Sequence, residues 1–164
     1  MTSTVPHSPP ARDEWVGWVL VSVQLSLLGT LCAEALRRLP ALRWWRGVPA
    51  TASMLAGGAV ALWGAGALGG ALRAHPAPAA EAVLRTDGAY RWVRHPIYSG
   101  VLLASAGASA AAGTWRALGA LAALVALFQV KARYEEGLLR ARFPGYAAYA
   151  ARTPRFVPWR RDEA

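Results

Sequence analysis

Two groups of titratable side chains stand at the two ends of a long, almost uncharged stretch. The first lies in the run 86–100, where Arg94 and His95 are flanked by Tyr90 and Tyr98; the second is Lys131, Arg133, Glu135 and Glu136. Carboxylates accept hydrogen bonds from hydroxyls or an ammonium, arginine forks onto a carboxylate, and a tyrosine face attracts an onium centre. Brought together, the set suits a ligand that carries both signs of charge as well as hydroxyls. Other chemistries fit less well. Only one histidine has charged neighbours and there is a single cysteine, so no metal site is expected. No serine stands beside a plausible His/Asp pair, and no glycine-rich loop joins a strand to a helix.

These side chains need elements to hold them. The chain has 164 residues, enough for one domain over 1–164, with 55% hydrophobic residues and charges that are few and bunched. Long charge-free spans mark an all-α integral membrane protein with about four transmembrane helices. The net charge of +9 comes from arginines beside apolar spans, which suits the lipid bilayer and its anionic headgroups rather than nucleic acid. Residues 1–14, with three prolines, read as a disordered tail. The first span is 15–36, in which Ser22, Gln24, Ser26 and Thr30 are polar but uncharged and are expected to turn toward neighbouring helices, and Glu34 to pair locally with Arg37 or Arg38. An arginine-rich loop with Trp44-Trp45 follows over 37–47, and Pro49 is expected to open a glycine-rich second span, 48–72, with Gly66 and Gly70 as a close-packing pair. Residues 81–93 hold a short interfacial helix or extended piece with a turn at Asp87-Gly88.

Two short apolar arms, 97–115 and 117–130, then form a tight helical hairpin, packed through Gly100, Ala104, Ala108 and Ala112 on one arm and Gly119 and Ala123 on the other. The hairpin returns the chain to the face it left, so Arg94-His95 and Glu135-Glu136 meet on one side of the membrane. A polar C-terminal helix continues over 131–151, interrupted by Pro144-Gly145, and the tail with Pro154 and Pro158 is irregular. The basic C-terminal side places both termini and the active site in the cytoplasm, which leaves the 37–47 loop outside, against the positive-inside tendency.

The ordered combination Arg94-His95-Pro96-Ile97-Tyr98-Ser99-Gly100, an apolar hairpin, Glu135-Glu136-Gly137-Leu138-Leu139 and Phe143-Pro144-Gly145-Tyr146 resembles the isoprenylcysteine carboxyl methyltransferase family, to which phospholipid methyltransferases are related. The likeness covers residues 84–158; Pro144 stands where the family usually runs from Phe directly into Gly. It implies an integral membrane methyltransferase that uses S-adenosylmethionine and a lipid-like or prenylated acceptor. It also implies a cofactor site that includes His95, Tyr98, Gly100, Glu135 and Glu136, joined by Tyr90 and Arg94 from the same pocket. Arg133 and Arg155, with Arg152 nearby, are the candidates beside the acceptor carboxylate, and Arg133, Glu136 and Arg155 are the catalytic candidates. Of the glutamates, Glu136 is expected to face inward on a stripe with Leu139 and Phe143, and Glu135 to face headgroup water.

A carboxylate acceptor is already ionised at neutral pH and needs no general base, whereas an amine acceptor needs one, for which Glu135 or His95 is available. An amine or phospholipid N-methyltransferase is therefore the nearest alternative. From other classes, a membrane scaffold or heme-handling protein would use His75 and His95 as axial ligands, and a transport component would line a path with Arg116 and Gln129.

Overall fold

A computed structural model describes residues 11–38, 44–68 and 83–158, and every regular element among them is helical. They are α1 (Ala11–Arg38), α2 (Trp44–Leu68), a 3₁₀ turn (Gly88–Arg91), α3 (Pro96–Ala112), α4 (Trp115–Arg142) and α5 (Tyr146–Arg152). Three of these, Trp15–Arg38 within α1, α2 and α4, are long and apolar enough to cross a membrane. α3 has 17 residues, about 25 Å of helix against a hydrocarbon core of roughly 30 Å. The protein is an all-helical, multi-pass membrane protein. Large apolar side chains such as Leu25, Leu55, Leu62 and Trp115 lie exposed on the helices, as lipid-facing surfaces require.

α3 is central. On one side it packs on α1 and α4 around Leu31, Ala112, Ala117, Ala120, Leu124 and Phe128. On the other it meets α2 so closely that a Cβ at Gly57 would overlap the backbone of Gly100 and Ala104, and one at Gly100 would overlap Gly57 and Ala61. Small residues allow this approach where no hydrophobic force draws helices together in lipid. Ser53 Oγ adds a bond across the seam, donating to the Leu103 carbonyl at 2.8 Å.

Several expectations are corrected. The intimate contact is α2 with α3 rather than α3 with α4: Gly100 and Ala104 face α2, and Gly119 on α4 has open space beside it. Gly66 is likewise open, and Gly70 lies outside the described residues. The tail 1–14 is cut short because α1 already starts at Ala11; residues 1–10 lie outside the described residues. Of the 37–47 loop, Arg37 and Arg38 end α1 and Trp44 begins α2, and residues 39–43 are not described. Pro49 sits inside α2, not at its start, at the cost of one backbone hydrogen bond near the helix end. α2 is described as far as Leu68, and 69–82, which include the rest of the expected span and His75, lie outside the described residues. The second hairpin arm continues into the polar segment as expected, as one helix of 28 residues that stops before Pro144-Gly145.

The turn between α3 and α4 is compact. Gly113 caps α3 in the left-handed conformation at φ 61°, and Thr114 caps α4 by accepting a bond from Ala117 N–H. Thr114 Oγ1 also donates to Glu34 at 2.9 Å, and Arg37 pairs with Glu34 at 3.1 Å as the spacing suggested. This polar group lies at the end of the bundle opposite His95.

Candidate active site

The N-terminus of α3, the last turns of α4 and the tail after α5 converge at one end of the bundle. Pro96 takes the first helical position, where its missing N–H costs nothing, and His95 is the N-cap residue. The tail runs along this segment: Arg94 N–H donates to the Pro154 carbonyl at 2.8 Å, His95 N–H to Arg155 at 3.1 Å, and Ser99 Oγ to Phe156 at 2.6 Å. The irregular tail that two prolines dictate is thus an ordered strap.

At its centre is Glu136, whose side chain is fully buried. Arg155 forks onto it, with Nε 2.9 Å from Oε1 and Nη2 2.9 Å from Oε2. Arg94 reaches Oε1 with Nε at 3.1 Å and Nη2 at 3.0 Å, and His95 Nε2 lies 3.2 Å from the same oxygen. Arg140 adds a longer contact at 3.5 Å. The remaining arginine valences are also used. Arg94 Nη1 donates to the carbonyls of Ala150 (2.8 Å) and Thr153, and Arg155 Nη1 to Gln129 Oε1 at 3.2 Å. A carboxylate so surrounded has little capacity left for a ligand.

Glu135 is different. Its side chain is 18% exposed, it accepts a bond from the Tyr98 hydroxyl, and its Oε2 lies 3.4 Å from His95 Nδ1. The expectation that it faces headgroup water is therefore corrected: both carboxylates face the cluster, because one imidazole sits between them. His95 is held above its ordinary value; burial alone would lower it, but the contacts with Glu135 and Glu136 outweigh burial. Tyr90, half-buried, is pushed up to about 12 by burial and then by the charge of Glu135, so it stays a protonated donor.

The aromatic rings lock the arrangement. His95 and Tyr98 stack in parallel with centroids 5.4 Å apart, three residues apart on one helical face. Tyr98 stacks in turn on Phe128 of α4 at 4.4 Å, and Phe156 of the strap tilts against His95 at 5.8 Å. Tyr149 donates to the Tyr90 carbonyl at 2.7 Å.

The structure thus gathers Tyr90, Arg94, His95, Tyr98, Glu135, Glu136 and Arg155 in one region, and leaves two candidates outside it. Gly100 is committed to the α2–α3 seam, and Arg133 is exposed on α4. Arg152 is exposed as well. The sequence reading gave Phe128 and Phe156 no role and placed Gln129 only in the transport alternative. It also gave Lys131 no role beyond membership of the second charged group. Lys131 is instead 2% exposed and donates to Gln24 of α1 at 2.8 Å, as the polar Gln24 in an apolar span suggested it would find a partner.

Fold and site together define a multi-pass helical membrane protein with a buried polar centre at one end of its bundle. The sequence model of the isoprenylcysteine carboxyl methyltransferase family matches residues 50–141, more than half of the 164-residue chain. The chain belongs to that family, and so to the membrane methyltransferases. No curated relative and no solved structure matches it significantly.

Proposed function

We propose that the protein transfers a methyl group from S-adenosylmethionine to the carboxylate of an amphiphilic acceptor of isoprenylcysteine or lipid type, at the cytoplasmic face of the membrane. The observation that carries this reading is the imidazole of His95 between two carboxylates, Nδ1 3.4 Å from Glu135 and Nε2 3.2 Å from Glu136. A ring that donates from both nitrogens is an imidazolium and cannot take a proton from an amine. Glu136 is saturated by arginines. That leaves Glu135 as the one carboxylate of the pair with free capacity; once it is engaged by the cofactor's ammonium or hydroxyls no base remains for an amine, which suits a nucleophile that is already ionised.

The donor set fits the cofactor. Glu135, partly exposed, is the acceptor for an ammonium or hydroxyls, and Tyr90 and Tyr98 are neutral phenols beside it. When bound, the cofactor would supply an electrophilic methyl on a sulfonium, and a carboxylate oxygen would accept it without any proton to remove. The role of Glu136, Arg94 and Arg155 is positioning: their clamp fixes α3, α4 and the strap, and with them His95 and Glu135. The apolar surfaces of α1 and α4 allow an acceptor to arrive from the bilayer.

The test is methyl transfer from labelled S-adenosylmethionine by the purified protein, with an S-farnesylated cysteine and with phosphatidylethanolamine. Label released as methanol by mild alkali from the cysteine acceptor is expected. Label confined to the phospholipid amine, or no transfer by protein that binds S-adenosylhomocysteine, would overturn the reading.

A further inference from the structure

The basic residues of this chain are arginines with one exception: of 18 Lys and Arg, only Lys131 is lysine. That lysine is 2% exposed, and its side chain lies among α1, α3 and α4. Its Nζ donates to Gln24 Oε1 at 2.8 Å and lies 5.3 Å from the centroid of the Tyr98 ring and 6.0 Å from that of Phe128. No carboxylate stands within ion-pair distance of it among the described residues. An ammonium has three donors, and among the described residues Gln24 takes one. A buried cation with no carboxylate in direct contact is costly, and such groups at membrane depth mark functional sites.

The other cations are not available for that task. Arg94 and Arg155 are bound to Glu136 and to carbonyl oxygens, and Arg133 points outward. Lys131 also has the right depth. It precedes Glu135 by one helical turn, about 6 Å farther into the bilayer. The Tyr98 ring bridges the two levels: its hydroxyl meets Glu135 and Lys131 lies near its face. On the helices that flank Lys131, Val23 and Leu25 of α1 and Val130 of α4 are exposed on the outer surface.

We propose that Lys131, held by Gln24, is the counter-ion that receives the carboxylate headgroup of a single-chain amphiphile entering between α1 and α4, and so sets the preference for an acid over a neutral acceptor. The inference rests on the methyl-transfer reading for the use made of that headgroup, but binding alone tests it. The chemistry is shared by a free fatty acid and by an S-prenylated cysteine, and both are probed.

In detergent, the wild-type protein is expected to bind dodecanoate and S-farnesylcysteine at least about tenfold more tightly than dodecan-1-ol, the weight of one charge-assisted contact. Lys131→Met should remove that preference while S-adenosylhomocysteine still binds, because a buried unpaired cation exchanged for an apolar side chain of similar length is tolerated by the fold. A preference for S-farnesylcysteine alone assigns the site to prenylated acceptors; a preference for both assigns it to acids in general. An unchanged preference in Lys131→Met, or none in the wild type, overturns the proposal. Labelling supplies a readout independent of the variant. At alkaline pH, where a fraction of the amine is neutral, the N-hydroxysuccinimide ester of dodecanoic acid should acylate Lys131, the amide bond forming as the N-hydroxysuccinimide anion leaves and the amine proton passes to solvent, and dodecanoate should block this where dodecan-1-ol does not. Peptide mass spectrometry that finds Lys131 unmodified under these conditions also overturns it. Failure of S-adenosylhomocysteine binding in the wild type, with the acid preference intact, would sink the methyl-transfer reading and leave this one standing.

Discussion

Arg155 and Glu136 meet as a two-pronged pair, each of two guanidinium nitrogens 2.9 Å from a different carboxylate oxygen. The pair fastens the strap beyond α5 to the last turns of α4, and Arg94 joins it from the start of α3. Three segments distant in sequence are thus held by one buried anion.

Removal of that anion should cost stability first and activity as a consequence. Glu136→Gln leaves two arginines facing a neutral group, and breaking a buried pair costs on the order of 3–5 kcal/mol. Glu135→Gln, at a partly exposed position, should melt near the wild type yet bind S-adenosylhomocysteine more weakly. Melting curves and calorimetry on both variants in one detergent check this; equal melting temperatures for Glu136→Gln and wild type would show that the clamp is not structural.

The pH dependence follows from His95. Its folded-state value lies above the ordinary 6.5, so the folded chain binds the proton more tightly than the unfolded chain. The stability gained is complete below 6.5 and is lost as pH rises through the folded value. The melting temperature of the wild type should therefore fall toward that of His95→Asn as pH is raised from about 6 to about 9. A difference that stays constant would mean that the imidazole is neutral throughout.

The seam between α2 and α3 gives a steric prediction. Gly57→Leu drives a side chain into the backbone of α3, whereas Gly119→Ala fills open space. The first should abolish recovery of folded protein, by several kcal/mol of overpacking, and the second should change stability by less than about 1 kcal/mol. Size-exclusion profiles of the two variants distinguish them.

Much of this was legible in the sequence, and for a physical reason: lipid forces backbone bonds to close within each helix, so a charge-free run of sufficient length declares itself. The meeting of the two charged clusters followed from counting crossings. What was not legible was lateral. Gly100, Ala104, Gly57 and Gly64 advertise a small-residue face but not which helix will use it, and the choice of α2 over α4 is made in three dimensions. The glutamates show the same limit. A 100° step between neighbours argues that only one faces inward, yet His95 is broad enough to touch both. Lys131 was available as a signal, as a lone lysine among arginines, but it was counted only as one member of a charged group.

Tyr98→Phe should separate the ring from its hydroxyl. The stack with His95 and Phe128 survives, and the donor to Glu135 is lost. Because water can replace part of that bond at a partly exposed carboxylate, the loss of stability should be about 1 kcal/mol, with a larger fractional loss in S-adenosylhomocysteine affinity as Glu135 becomes free to turn. Thermal melts and calorimetry read the two effects; an affinity unchanged from wild type would remove Glu135 from the cofactor site.

The strap also fixes an order of assembly. Arg94 is synthesised just ahead of α3 and Glu136 within α4, while Arg155 emerges after α4 and α5 have been made. A nascent chain that holds only its helices therefore contains a buried carboxylate short of its forked partner and two open ends, at α3 and α4, with nothing laid between them. Closure waits for the strap, so any quality-control step that senses unsatisfied charge in the bilayer has a defined interval in which to act on this protein, and that interval ends when Arg155 arrives.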